Sequence, residues 1–470
     1  MRENKHVLLI TIDSLRTDHV SCLGYDRRTT PHIDNLAQTG CLFTQAIVNG
    51  SPTPSSFPSL LTSSYPSMYG YNPHLSKSRT TVAEVLRAKG YNTAAFHSNP
   101  YLSRYYGYDR GFDTFEDFMF SKLVHRRHGL IDRFKNMIIK YTSPNFPPRR
   151  IYLFTKGFIK KRRNYIHHIN TKVKTADVIN ENAVLWLGQN TGNFFIWIHY
   201  MDAHFPYIVP DKYLNQLQIE GVIKSKTIEL SREMRWKQLK GLVSVSKEDL
   251  QMLVDLYDGG IRYADDAVGS LLMELSKAGV YDDTLIIITA DHGEEFHEHG
   301  NLCHRPKLYD ELIRVPLIIK CPGMDEGVVI DHQVQHLDIV PTILDILGIE
   351  KPINFQGTSF KALMQKKCIE NAVLTGVISE TVYKGKRRVC YRTEEWKYIL
   401  DEGTDLEELY NLQNDPGEKN NMVHVEPEKL VEFRAIIKGH IRSVEERSKE
   451  AVIATEKKEV KRKIEKMRKA

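Results

Sequence analysis

Five short apolar runs, rich in β-branched residues, constrain the fold more than anything else in the chain. They are HVLLITID (6–13), TAAFHS (93–98), FFIWIHYMD (194–202), TLIIITAD (284–291) and VPLIIK (315–320). Runs that are apolar on both faces belong to strands covered on both sides. Helical patterns lie between them, at 80–90 (TTVAEVLRAKG) and at 266–279 (DAVGSLLMELSKAG), the second closing on a Lys-Ala-Gly stop. The alternation predicts an α/β fold, a large mostly parallel sheet flanked by helices. At 470 residues the chain has room for such a core and an accessory unit. Near residue 375 the texture changes to antiparallel-type strands with polar turns, and from 426 it becomes helical and highly charged. The expected organisation is therefore a catalytic α/β domain over 1–375, a small C-terminal antiparallel subdomain over 376–425, and a charged helical tail over 426–470.

Charge and cysteine usage narrow the function classes. A net charge of +6 is small for this length, and its excess sits in a basic insert at 122–174 and in the last fifteen residues. No nucleic-acid-binding motif accompanies that charge, so nucleic acid is not an expected partner. Leu130, Phe134, Met137, Ile138 and Tyr141 recur at helical spacing inside the insert. Two readings stand open there: a basic amphipathic helix making peripheral contact with anionic lipid, or a lid over an active site. In the tail, Ile453, Val460, Ile464 and Met467 suit either an oligomer-forming seam or a docked helix. The six cysteines are scattered without a CxxC pair. The N-terminal run reaches Asp13 too soon for a signal peptide, and no stretch is long enough for a bilayer. The expected compartment is the cytoplasm.

In sheets of this kind, functional groups gather where strands end at their carboxyl side. Three of the runs end on ligand-type residues: Asp13; His199 with Asp202 and His204; and Asp291 with His292. Carboxylate and imidazole together suit a divalent cation such as Zn, Mn or Mg. Asp13 would serve equally as a helix N-cap, and TADHGEEFHEHG (289–300) as a solvated acidic loop. The matching pair Asp291 and His292 favours metal. A further stretch, NGSPTPSSFPSLLTSSYP (49–66), is uncharged and rich in hydroxyls, yet Phe57, Leu60, Leu61 and Tyr65 give it an apolar side that a solvated linker lacks.

The stretches VLLITIDSLRTDHVSCLGYDRRTTPHIDNLAQTGCLFTQAIVN, LLTSSYP, FIWIHYMDAHFPY, YDGGIRYADDAVG, TADHGEEFHEHG, LYDELIRVPLIIK and HLDIVPTILDILGI occur in one order. With the closing WKYIL and ELYNLQNDPGEKNN, they resemble the sulfatase branch of the alkaline phosphatase superfamily over roughly residues 5–422. The resemblance implies an alkaline phosphatase-like core with a small C-terminal sheet, and a metal-dependent hydrolase of sulfate or phosphate esters. It implies a divalent cation (Mn, Zn, Mg or Ca) held by Asp13, Asp291 and His292. Ser14 stands where many relatives carry a second acid, which favours one cation per site. The family's spacing back from LLTSSYP places the nucleophile, itself a metal ligand, at Thr53. Phe57 occupies the position where formylglycine maturation requires Arg, and no Cys lies nearby. A threonine nucleophile without formylglycine is therefore expected, with a covalent intermediate on Thr53. Ser55 and Ser56 remain alternatives, because SFPS resembles the shorter Ser-x-Pro-Ser pattern. The family pattern further implies contacts to the anionic ester from His304, with Arg305 second, and from His204, which is otherwise a loop histidine stacked on Phe205 or Tyr207. His97 and Asn99 rank below these, and His297 and His299 are expected behind the ligands or in solvent. A phosphoglycerol-type phosphotransferase, or a non-catalytic metal-containing binding protein on the same scaffold, is the alternative.

Overall fold

A computed structural model describes residues 6–70, 74–118, 173–221, 245–365, 376–383 and 385–469, with the side chains of 450–469 outside that description. All five apolar runs are strands: β1 (His6–Ile12), β3 (Asn92–His97), β5 (Phe194–Tyr200), β6 (Thr284–Ala290) and β9 (Arg314–Lys320). Between and beyond them lie β2 (Cys41–Ile47), β4 (Thr114–Glu116), β7 (Glu295–Phe296), β8 (Leu302–Cys303), β10 (Val328–Ile330) and β11 (Val334–Gln335). The main sheet runs β10-β2-β9-β6-β1-β5-β3-β4, with β11 also beside β2. β1 is parallel to both β5 and β6, and β3 is parallel to β5. β9 alone among the long strands runs antiparallel to its neighbours β6 and β2.

Alternate residues of the central strands feed two separate cores. Leu8, Ile10, Ile196 and Ile198 pack with the helices Ala176–Gln189 and Lys247–Lys277. Val7, Leu9, Phe195 and Trp197 pack with Phe57, Leu60 and Leu61 of the helix Thr53–Thr62 and with Val82 and Leu86 of the helix Val82–Ala88. This two-sided burial is what the continuous apolar runs require. The helix Val82–Ala88 starts at a capping box between Thr81 and Glu84.

Two elements were less legible. β2 carries Thr44 and Gln45 in its middle, where its pairing with β9 shifts register, so the apolar run is interrupted. The pattern at 266–279 is only the end of a helix that spans Lys247–Lys277, whose middle contains Gly259 and Gly260. A Cβ on Gly260 would lie 2.4 Å from the Asp202 carbonyl oxygen, so the glycine lets this helix press against the chain leaving β5.

A second sheet orders β12 (Val377–Tyr383), β13 (Lys386–Arg392), β14 (Trp396–Asp401) and β15 (Leu406–Asn411) as an antiparallel meander. The helix Pro427–Lys469 lays Leu430, Phe433 and Ile437 onto it. The proposed tail seam lies on that helix, but its side chains fall outside the described residues, as does the pattern at 130–141 of the basic insert. No helix among the described residues is long and apolar enough to cross a membrane.

The second sheet is tied to the first by buried charge. Lys397, fully buried, places Nζ 2.8 Å from Asp310 Oδ1 and 2.9 Å from Glu418 Oε1, and Arg392 Nη2 lies 2.8 Å from Asp310 Oδ2. Burial would push the Asp310 carboxyl up, yet Arg392 and Lys397 hold it well below the usual carboxylate range. Breaking a buried pair leaves its partner uncompensated. Asp310→Ala is therefore expected to cost about 3 kcal/mol or more in urea unfolding, whereas an exposed pair such as Lys429–Glu432 should cost almost nothing when broken.

Candidate active site

The strands β6, β1 and β5 are adjacent, parallel and in register, with Ile12 opposite both Ala290 and Tyr200. One residue beyond these positions, Asp13 and Asp291 therefore emerge side by side at the carboxyl edge. Ser14 turns the chain there with φ +62, donating its N–H to Asp291 Oδ1 (3.2 Å) and its hydroxyl to Asp13 Oδ1 (2.8 Å). Gly293 is required on the other side, because a Cβ there would lie 1.9 Å from the Glu311 carbonyl oxygen. His292 Nδ1 donates to the Gly293 carbonyl (2.8 Å), so its Nε2 lone pair faces the cluster. That Nε2 lies 3.4 Å from Asp291 Oδ2 and 3.9 Å from Asp13 Oδ1.

Thr53 reaches the same point from a different element. It opens the helix Thr53–Thr62, and its Oγ1 donates to Asp291 Oδ2 at 2.9 Å and lies 3.1 Å from His292 Nε2. Ser55 instead faces Thr381 Oγ1 (3.3 Å), and the buried Ser56 hydroxyl has no partner among the described residues. Phe57 packs on Trp197 and His199. Exposed N–H groups at this helix start are a general means of holding an anion, but Pro54 has none, and those of Ser55 and Ser56 both donate to the Pro52 carbonyl. The Thr53 N–H alone remains from that turn.

The donor set fits a divalent cation. Ligand atoms of Asp13, Asp291 and His292 all lie within 4.8 Å of one another, and all three residues are fully buried. Burial pushes the Asp291 carboxyl well above its usual range, and the charge of Asp13 adds to it. Burial opposes ionisation of Asp13 too, but His204, a hydrogen bond from His199 and the proximity of His292 outweigh it and hold Asp13 well below that range. Burial and the neighbouring His304 bring His292 down to about 3, leaving the imidazole neutral as a ligand must be. Two carboxylates and a neutral imidazole at such range call for a cation.

Around this cluster stand groups of unequal standing in the sequence. His199 Nε2 lies 3.2 Å from Asp13 Oδ2, and Asn99 Nδ2 donates to the same oxygen at 2.9 Å. Asn99 thus belongs to the cluster, whereas His97 is buried against Trp197 and Phe115 with neither ring nitrogen paired among the described residues. The rings of His292 and His304 are 4.4 Å apart, and those of His304 and His204 4.9 Å, so both anticipated histidines border the Asp13–Asp291–His292 cluster. Arg305 follows His304 and is half-buried. Lys307, the third cation of that loop, is committed elsewhere, to Glu295 (3.2 Å) and the His299 carbonyl (2.8 Å). His299 pairs with Glu311 (2.6 Å) and stacks on Tyr309 instead of joining the cluster. Asp202 accepts from Ala176 N at the start of a helix (3.1 Å) and takes no part in the cluster. Glu294, which sequence reasoning passed over as one acid among several, is fully buried beside His304, and burial pushes its carboxyl up to about 7.

Comparison with known proteins decides the family. The model of the family described as Sulfatase matches residues 5–349, and that of the N-sulphoglucosamine sulphohydrolase C-terminal region matches 297–446. The chain belongs to the sulfatase family. It is a hydrolase of that family, which sets aside a purely non-catalytic scaffold. Among curated relatives, an ulvan-active sulfatase of Formosa agariphila is 26% identical, covering 89% of this chain and 77% of its own. An N-acetylglucosamine-6-O-sulfatase of Bacteroides thetaiotaomicron is 24% identical over 89% of this chain and 82% of its own. The phosphonate monoester hydrolase of Agrobacterium radiobacter shares the fold with a TM-score of 0.67 at 20% identity, covering 95% of this chain and 96% of that one.

Proposed function

We propose that this sulfatase-family hydrolase cleaves an anionic sulfate or phosphate ester through a covalent intermediate on Thr53. One divalent cation (Mn, Zn, Mg or Ca) would be held by Asp13, Asp291, His292 and Thr53. The observation that carries this reading is the position of Thr53 Oγ1, 2.9 Å from Asp291 Oδ2 and 3.1 Å from His292 Nε2. When bound, the cation lowers the hydroxyl's pKa and polarises the ester oxygens.

The chain's own groups account for the rest. The Thr53 hydroxyl proton points at Asp291 Oδ2 and leaves in that direction as Oγ1 attacks the sulfur or phosphorus. The bond from Oγ1 forms while the bond to the leaving oxygen breaks, and His204 supplies that oxygen's proton. His304 and Arg305 hold the charge of the transferred group. Water then attacks the ester on Thr53 while His204, which gave up its proton in the first step, takes the water's proton. The bond to Oγ1 breaks, Oγ1 recovers the proton passed toward Asp291 Oδ2, and the inorganic anion leaves. Relatives named as sulfatases favour a sulfate ester. An unmodified hydroxyl at 53 favours a second reading, phosphoryl transfer to water or, as in phosphoglycerol-type phosphotransferases, to an alcohol. A cytoplasmic enzyme fits the buried Cys41 and Cys390, neither in a disulfide, and cell fractionation finding it outside the cytoplasm would overturn that placement.

Turnover is expected on 4-nitrophenyl sulfate or bis(4-nitrophenyl) phosphate, the diester slightly preferred. Mass spectrometry of the rapidly quenched enzyme should show Thr53 carrying the transferred group, and the resting enzyme no formylglycine within 49–66. An adduct on any other residue would refute the assignment.

A further inference from the structure

We propose that the tyrosines on the turn after β3, Tyr105 above all, form a platform on which the sugar of a saccharide ester stacks while its anionic group lies at Thr53. The proposal deepens the reading above and rests on it. Thr11 of β1 and His97 of β3 both stand opposite His199 of β5, so Asp13 and Asn99, each two residues further on, leave the sheet at one level. Asn99 Nδ2 donates to Asp13 Oδ2 (2.9 Å), and Asn99 Oδ1 accepts from the Tyr101 N–H (3.0 Å). One amide thus joins the turn to the Asp13–Asp291–His292 cluster. Leu102, fully buried, and Tyr108, buried with its ring edge-on to Phe57 of the helix Thr53–Thr62, pin the rest of the turn. From Asn99 to Tyr105 the chain winds through two short 3₁₀ turns, Pro100–Leu102 and Arg104–Tyr106. At about 2 Å per residue it advances roughly 12 Å, within reach of a short saccharide.

The rings on this turn stand apart from the other aromatics of the chain. Among the described Phe, Tyr and Trp residues only Tyr101 and Tyr105 are exposed, at 40% and 73%. Apolar surface exposed singly needs no explanation, but exposed rings gathered beside a candidate active site mark a binding surface. Tyr106 bridges the two, its ring 6.3 Å from that of Tyr101 and 5.0 Å from that of Tyr105. His74 touches the rings of Tyr105 and Tyr106 at 4.9 and 5.0 Å. Tyr105 and Tyr106 meet at 82°, so they form a corner and not a parallel slot. A flat aryl group gains most from parallel faces, whereas a puckered sugar ring offers C–H groups to a corner and hydroxyls to a polar rim. Arg104, with 62% of its side chain exposed, supplies such a rim.

The test measures binding by isothermal titration calorimetry to the full-length, metal-loaded Thr53→Ala enzyme, which should not turn its ligands over. The probes are the ethyl, 4-nitrophenyl and cellobiose 6′-yl monoesters of sulfate and of phosphate. For whichever anion the site binds, the cellobiose ester should bind about 10-fold more tightly than the ethyl ester. Adding Tyr105→Ala should erase that difference without weakening the ethyl ester. Tyr105→Trp, which keeps a stacking face, should preserve it. Equal affinity for the cellobiose and ethyl esters would overturn the platform, as would a preference unchanged by Tyr105→Ala or a parallel loss on both esters. Tighter binding of the nitrophenyl than of the cellobiose ester would overturn the sugar as its occupant. Binding of no ester at all would instead sink the anionic-ester reading, and the platform with it.

Discussion

Thr53→Ala is expected to abolish turnover, by about 10⁴-fold or more, while the protein stays folded and keeps most of its metal affinity. The substitution removes the attacking oxygen. It leaves the three donors of Asp13, Asp291 and His292 in place, and the helix that Thr53 opens is held by Phe57, Leu60 and Leu61 in the core rather than by Thr53. Thr53→Ser should retain measurable activity, because the hydroxyl survives with more rotamer freedom than the β-branched residue allows. Steady-state rates on both nitrophenyl esters, with circular dichroism and metal analysis on the same samples, check each part. If Thr53→Ala turns over like the wild type while Ser55→Ala or Ser56→Ala is dead, the nucleophile lies further along the helix. The geometry speaks against that outcome, since Ser55 points at Thr381 of the second sheet.

Asp291→Ala and His292→Ala are expected to lose metal and activity together, with at least about a 100-fold fall in metal affinity, since removing a ligand should exceed the 10- to 100-fold cost of removing its outer support. A specific consequence follows from the two buried carboxylates. The wild-type melting temperature should rise with added Mn²⁺ or Zn²⁺, because the cation binds only the folded arrangement, and this rise should vanish in Asp291→Ala. Replacement of His299, which pairs with Glu311 away from the ligands, should leave metal content unchanged. Full metal occupancy in both Asp291→Ala and His292→Ala, measured by elemental analysis after dialysis, would remove them as ligands.

The strands and the acid-bearing edge of the sheet were legible for the same physical reason. A strand buried on both faces must be continuously apolar, so polar residues are displaced to its ends. In β1 and β6 those ends are Asp13 and Asp291. The same logic misleads at Asp202, a strand-end acid that caps the helix Ala176–Gln189 instead. Nothing in one-dimensional spacing separates a carboxylate that accepts from backbone N–H groups from one that faces another carboxylate. β2 was hidden by the two polar residues at its register shift, and the long helix Lys247–Lys277 by a glycine pair whose purpose is visible only in the fold, Gly260 against Asp202 and Gly259 against Val209 and Leu214.

What the sequence by itself determined is the α/β alternation, the sulfatase resemblance and the residue types able to hold a cation, because these depend on periodicity and local order. Only the tertiary structure decided which hydroxyl of 49–66 meets the acids. Thr53, Ser55 and Ser56 are chemically alike and adjacent in sequence, yet a helix turns successive side chains by about 100°, and Thr53 alone of the three faces Asp291 and His292. The same holds for Glu294. Several acids stand in TADHGEEFHEHG, and the one beside His304 is singled out by a 3.0 Å contact from a loop ten residues away, while the equally buried Glu295 turns to Lys307. Function here depends on the directions of side chains from separate elements converging on one point, and direction in space is what a linear pattern does not carry.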